Sequence, residues 1–308
     1  MPRADAATHA FLRCTLNTAD RAKSARFYAD VLDLRQRGEF TDTEADVTAL
    51  GVSEPAHRSR VRLRDRRWSR RTPALELVQW HEPRGYGVVP DSPTTIGLRA
   101  LGFRVDSVAT VRSAVARAAR DARLLPPGWP AGAGPTAWTT DPDGVTVELV
   151  QSRLADTDGP VLSHLRLNCA NLERSIEWYQ HLGFEVVAKE TSVLLPGLSF
   201  GLPGHVELAS ASLQLGEDDP FRLELLQWVD PPGEATVRVH GNTPGLRHVA
   251  FAVEDTRMAH RYLAEAGIAN GGPPRWHPMP AGKGETGWSL FLTDPDGVYV
   301  ELAEHPPL

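Results

Sequence analysis

Thr293-Asp294-Pro295-Asp296-Gly297-Val298-Tyr299-Val300-Glu301-Leu302 has a near copy at Thr140-Asp141-Pro142-Asp143-Gly144-Val145-Thr146-Val147-Glu148-Leu149. Asp and Gly accept the backbone angles of a tight connection, so each copy predicts a hairpin whose second strand carries one carboxylate, Glu301 or Glu148. The chain is therefore a repeat, and the remainder keeps the same order. Leu162 to Asn168 reads as a strand, Asn171 as a cap, and the segment through Ile176, Trp178 and Tyr179 as a helix that stops before Gly183. Phe11 to Asn17 and the helical spacing of Arg21 to Leu32 reproduce that grammar. Setting Phe27-Tyr28 against Trp178-Tyr179 places Arg13 on His164 and Asn17 on Asn168. Ala74 to Trp80 matches Arg222 to Trp228, and Ile96 to Phe103 matches Pro244 to Phe251, which places Ala100 on His248.

Four modules result, each a strand, a helix and further strands, at about 8–81, 95–151, 162–229 and 245–305. The stretch Arg153 to Pro160, with Asp156, Asp158 and Gly159, predicts a boundary between a first domain, 1–152, and a second, 161–308. One module is too small to bury a sheet face alone. The two modules of each half are thus expected to share one curved, mostly antiparallel sheet with helices on its outer face, an α+β architecture of two tandem domains.

The 308 residues, 41% hydrophobic and 23% charged, suit two globular domains. A net charge of −6 argues against nucleic acid or an anionic membrane as partner and leaves a small-molecule substrate. Cys14 and Cys169 have no metal or redox spacing and predict buried free thiols in a reducing compartment. No long apolar run occurs, and Met1 to Ala7 lacks an apolar leader core, which points to a soluble cytoplasmic protein. Arg58, Arg60, Arg62, Arg64, Arg66, Arg67, Arg70 and Arg71 read as the solvated face of an edge strand, or else a dock for an acidic partner. Trp276, His277, Met279 and Trp288 fit either a lid or ordinary packing, and Arg13 predicts a salt bridge to Glu76 or Glu148, with binding of a carboxylate in the first-half cup as the alternative.

Alternate side chains of a strand face opposite ways, and this parity puts His164, Glu224, His248 and Glu301 on the faces away from the helices. Two imidazoles and two carboxylates are what a divalent transition metal takes, with positions left open for water or substrate. The first half keeps Glu76 and Glu148 but has Arg13 and Ala100 in place of the histidines, so it is expected to be metal-free.

The runs Leu162-Ser163-His164-Leu165-Arg166-Leu167-Asn168 and Gly245-Leu246-Arg247-His248-Val249-Ala250-Phe251, with Asp-Pro-Asp-Gly and a Glu four residues on, are signatures. In them the chain resembles the vicinal oxygen chelate superfamily. That group contains glyoxalase I, fosfomycin resistance proteins, methylmalonyl-CoA epimerase, bleomycin resistance proteins and extradiol dioxygenases. The resemblance spans about 8 to 305 and implies one divalent transition metal on His164, Glu224, His248 and Glu301. Likeness to bacterial glyoxalase I implies nickel, zinc or cobalt and isomerase, epimerase or lyase chemistry through an enediolate, with Glu301 or Glu224 moving the proton. The rival is extradiol ring cleavage, with iron or manganese on His164, His248 and Glu301. Against it, Phe291 stands where that signature has Tyr, Gly282-Lys283-Gly284 where it has His, and Glu224 in the strand that should carry a catalytic His. A third reading is a ligand-sequestering protein of the bleomycin-resistance kind, against which His164 and His248 count. A homodimer is open, because relatives with a single pair of modules dimerise to complete a site.

Overall fold

The computed structural model describes residues 8–66, 72–118, 123–124, 134–152, 159–216, 220–235, 240–268, 271–276 and 287–305. The first module comprises β1 (Ala10–Asn17), α1 (Arg21–Leu32), β2 (Arg35–Ala45), β3 (Ala56–Arg64) and β4 (Ala74–Glu82). The second has β5 (Gly97–Val105), α2 (Val108–Arg117), β6 (Arg123–Leu124), β7 (Thr136–Thr140) and β8 (Thr146–Gln151). The third has β9 (Val161–Asn168), α3 (Leu172–His181), β10 (Phe184–Pro196), β11 (His205–Leu215) and β12 (Arg222–Asp230). The fourth has β13 (Gly245–Val253), α4 (Thr256–Glu265), β14 (Arg275–Trp276), β15 (Trp288–Thr293) and β16 (Tyr299–Glu304). Each helix starts on a side chain that accepts an otherwise orphaned backbone N–H: Asp20 from Lys23, Ser107 from Thr110, Asn171 from Arg174, and Asp255 from Arg257 and Met258.

The strands form two eight-stranded mixed sheets, and these do not follow the halves of the sequence. The first runs β14-β15-β16-β13-β1-β4-β3-β2 and the second β10-β11-β12-β9-β5-β8-β7-β6. Module one therefore shares its sheet with module four, and module two with module three, which corrects the expectation that each half builds its own sheet. β1 lies antiparallel to β13 with Thr15 opposite His248, and β5 antiparallel to β9 with Gly102 opposite His164. Alternation along a strand specifies which of its faces is buried; it carries no information on which module supplies the next strand.

Side chains conserved between the copies hold this exchange in place. The Nδ2 of Asn17 donates to the carbonyls of Gly241 and Thr243 at 2.5 and 2.8 Å, tying module one to the linker that leads into module four. The Nδ2 of Asn168 does the same to Pro93 and Thr95 at 2.7 and 3.0 Å. Modules of one half still meet, but through helix and hairpin: the Tyr28 hydroxyl donates to Asp141 Oδ2 at 2.9 Å, and Tyr179 to Asp294 Oδ2 at 3.1 Å. In the hairpins, Asp294 Oδ1 accepts the N–H groups of Asp296 and Val298 at 2.9 and 2.8 Å, and Asp141 Oδ1 those of Asp143 and Val145 at 2.9 Å. Gly297 and Gly144 follow at φ 83 and 91°, angles that L side chains rarely adopt.

One apolar core runs between the sheets, joining Cys14, Leu16, Leu75 and Leu77 of the first to Leu165, Leu167, Leu223 and Leu225 of the second through Tyr28 and Tyr179. Each fully buried leucine contributes roughly 1.5–3 kcal/mol relative to exposure. Phe11 stacks on Phe221 at 4.0 Å across this seam. Cys14 and Cys169 are free and buried, and burial pushes both thiols up to about 12. No helix among the described residues is long and apolar enough to cross a membrane.

Candidate functional site

With their apolar faces turned to the core, the two sheets present their other faces as cups, and the repeat places equivalent side chains on each floor. In the first sheet these are Arg13, Glu76, His248 and Glu301, from β1, β4, β13 and β16. They line a cavity of about 850 Å³. Arg13 Nη2 donates to Glu301 Oε2 at 2.6 Å, and its Nε lies 4.0 Å from Glu76 Oε2. His248 Nε2 is 3.1 Å from the Thr15 hydroxyl and 3.4 Å from Glu301 Oε2. Burial alone would raise the Glu301 carboxyl; the charge of Arg13 and the contact with His248 overcome it and hold the group at about 2. Glu76, fully buried, is likewise held well below the usual carboxylate range because Arg60, Arg62 and Arg13 outweigh its desolvation. The expected bridge from Arg13 to Glu76 is thus present at long range, while the tight partner is Glu301.

The basic run behaves differently from its reading in the sequence. β3 is not an edge strand, because β2 flanks it, and Arg58, Arg60 and Arg62 form a wall of the cavity instead of a solvated face. Arg62 sits opposite Glu76 in the β3–β4 register and donates to it at 2.9 Å. Arg60 reaches Glu76 at 3.3 Å and Asp42 at 2.9 Å, and Arg58 reaches Asp42 at 2.7 Å. Parity with Glu76 across two neighbouring strands was the available signal, but polar alternation looks the same over water and over a cup. Arg67, Arg70 and Arg71 lie outside the described residues. Trp276 and Trp288 do line the cavity, as a lid would, whereas His277 and Met279 lie outside the described residues.

The second sheet places Ala100, Glu148, His164 and Glu224 at the equivalent positions. His164 Nε2 meets Glu148 Oε2 at 2.9 Å, and Arg166 Nη1 lies 2.7 Å from Glu148 Oε1. The guanidinium of Arg166 sits 4.3 Å from the Trp138 ring centroid. Glu224 accepts from the Ser212 hydroxyl at 2.8 Å; burial raises its carboxyl, with His164 and Ser212 offsetting only part of that. This cup is filled. Trp138 and Trp228 pack edge-on against Phe200 at 5.1 and 5.3 Å, with Val206, Leu208 and Leu226 around them. At the positions equivalent to Trp138 and Phe200 the first cup has Phe291 and Leu50, and the space stays open.

The four residues expected to share one ion are therefore divided, His248 and Glu301 in the open cup, His164 and Glu224 in the second. The same division separates the His164, His248 and Glu301 triad of the ring-cleavage reading, and it separates Glu301 from Glu224 as proton carriers. Each cup instead holds one histidine and two carboxylates, one of the two carboxylates coming from the part of the chain expected to be metal-free.

The sequence profile of the Glyoxalase/Bleomycin resistance protein/Dioxygenase superfamily matches residues 10–149 and again 161–302. The chain belongs to that superfamily. Among solved structures, glyoxalase I from Zea mays superposes with a TM-score of 0.66 at 20% identity, over 96% of this chain and 92% of that one. A mutant of the same enzyme gives 0.67 at 20% identity, over 96% and 94%. A candidate dioxygenase from Bacillus subtilis subsp. subtilis str. 168 gives 0.62 at 14% identity, over 98% and 86%. No curated protein matches the chain in sequence. At these identities the likeness is one of fold.

Members of this superfamily bind a divalent metal, and the open cup can be tested for one. Its donors are suitable in type, an imidazole and two carboxylates, but Arg13 stands in the fourth position and is bonded to one carboxylate and near the other. A cation held by Glu76 and Glu301 would share its place with a guanidinium. Among the described residues no group of three or more His, Cys, Asp or Glu is placed to hold a metal ion. The residues of the open cup, as arranged, do not fit the superfamily's metal.

Proposed function

We propose that this chain is an enzyme of its superfamily that works in the open cup of the first sheet, taking a small oxygenated molecule and moving a proton, chemistry of the isomerase or lyase kind. The observation that supports this reading is the contrast between the cups. The His248–Glu301 pair lies on the floor of a cavity wide enough for a small molecule, whereas in the second cup Ala100 stands at the position of His248 and Trp138, Phe200 and Trp228 form an apolar cluster. In this reading His248 takes and returns the proton. Glu301, held ionised at about 2, is too weak a base to do so near neutrality and serves as the fixed counter-charge that stabilises the imidazolium. Thr15 orients the ring through Nε2. The arginine wall supplies positive charge beside the oxygen on which negative charge develops.

The test is deuterium exchange: the protein is incubated in D2O with a panel of small 2-hydroxycarbonyl and 2-oxo acid compounds, and loss of the adjacent C–H signal is followed by NMR. Exchange is expected with at least one compound, to fall by about 10²–10⁴-fold in His248→Gln and to persist in His164→Gln. The opposite pattern would move the site to the second sheet. A second reading, sequestration of the bleomycin-resistance kind, is favoured by one observation: Arg13 ties up Glu301. Binding of panel compounds without any exchange would select it.

A further inference from the structure

The positions on which the repeat converges in the open cup carry an imidazole, two carboxylates and a guanidinium. Arg13 Nη2 is 2.6 Å from Glu301 and its Nε 4.0 Å from Glu76, so its charge lies where an ion shared by those carboxylates would lie. The side chains of both carboxylates are more than nine-tenths buried. Along the floor and wall, the guanidinium groups of Arg13, Arg58, Arg60 and Arg62 face the carboxylates of Asp42, Glu76 and Glu301, while Glu44, Asp46 and Arg275 also line the cavity. A divalent cation placed between Glu76 and Glu301 would lie beside the Arg13 guanidinium, where screening by water is weak. An organic anion would be attracted by the same guanidinium. A guanidinium also presents its N–H groups as a planar fork that matches paired oxygens, which a carboxylate with an adjacent oxygen supplies.

We infer that Arg13 is a built-in cation standing in the metal's place, and that the open cup receives the paired oxygens of a small carboxylate without a metal. This deepens the reading above and rests on its choice of cup, but neither measurement below requires turnover. The chain, stripped with chelator, is incubated with Co²⁺ or Zn²⁺, desalted and assayed for metal. The wild type is expected to retain none in stoichiometric amount, and Arg13→His, which adds a ligand and removes a charge, to retain one equivalent of cobalt that His248→Ala removes again. Arg13→Gln, with a neutral side-chain carbonyl, serves the same purpose if the histidine variant does not fold. Stoichiometric metal in the wild type, lost in His248→Ala, overturns the inference; so does a folded Arg13 variant that retains none, since Arg13 would then not be what excludes the ion. Oxalate is the probe for the anion, by calorimetry in chelator. Binding is expected to weaken about tenfold or more in Arg13→Gln. Absence of oxalate binding, or binding unchanged by the substitution, overturns the receptor. A protein that binds oxalate through Arg13 yet exchanges no proton would refute the catalytic reading alone.

Discussion

Glu301 shows how much of the open cup rests on single charges. Its bond to Arg13 is nearly dry, with side-chain exposures of 9 and 10%. Removing one member of such a pair leaves the other buried and uncompensated, so Glu301→Gln is expected to cost about 3 kcal/mol in urea denaturation, more than a surface pair would. The pH dependence has a definite sign. Because the folded value of about 2 lies below the ordinary 4.5, this stabilisation is complete above pH 4.5 and is lost as pH falls toward 2. It amounts to something on the order of 3 kcal/mol, and Glu301→Gln should flatten that part of the profile. In the second cup the sensitive residue is a glycine: a Cβ on Gly102 would stand 1.9 Å from His164 Cε1. Gly102→Ala is expected to displace the imidazole from Glu148 and destabilise the protein by about 1–3 kcal/mol, measured by thermal denaturation. Residue by residue, parity found which side chains face a cup. It could not find that Arg13 would reach Glu301, because those residues are 288 positions apart and only the sheet order brings them together.

At the level of elements, hairpins, helices and caps were legible because their causes are local. Asp-Pro-Asp-Gly makes its turn with its own side chain and backbone, and Asn171 caps the helix that follows it. Burial pushes Asp294 up from 3.8 to about 7 against the backbone N–H groups that favour its charge. A raised carboxyl has the opposite sign to Glu301: stability is greatest below pH 3.8 and declines as pH rises through 7. Asp294→Asn preserves an acceptor for Asp296 and Val298 and should remove that decline, whereas Asp294→Ala leaves those N–H groups and the Tyr179 hydroxyl without their partner, at about 2–4 kcal/mol. Comparing chemical denaturation of the two variants at pH 5 and pH 8 separates the contributions. The choice of partner for each strand was not legible, since β13 satisfies the edge of β1 with the same alternation that β5 would have offered.

Over the whole molecule, the exchange of modules means that the halves are not separable units, although the superfamily profile matches each of them. Chains split at 153–158 and coexpressed are expected to copurify as a one-to-one complex, because each sheet needs a module from each fragment. Recovery of two stable, non-associating fragments would contradict the sheet order. The split pair should also retain oxalate binding, since Arg13 and His248 then come from different chains. Synthesis gives the same geometry a direction in time. The strands of modules two and three can pair while the ribosome is still at work, but Thr15 meets His248 across 233 residues. At about 5–20 residues per second, that is roughly ten to fifty seconds during which β1 has been made and its β13 neighbour has not. The amino-terminal strand of a nascent chain is thus left with an open edge longer than most, and a chaperone that shields it is the kind of help this topology calls for.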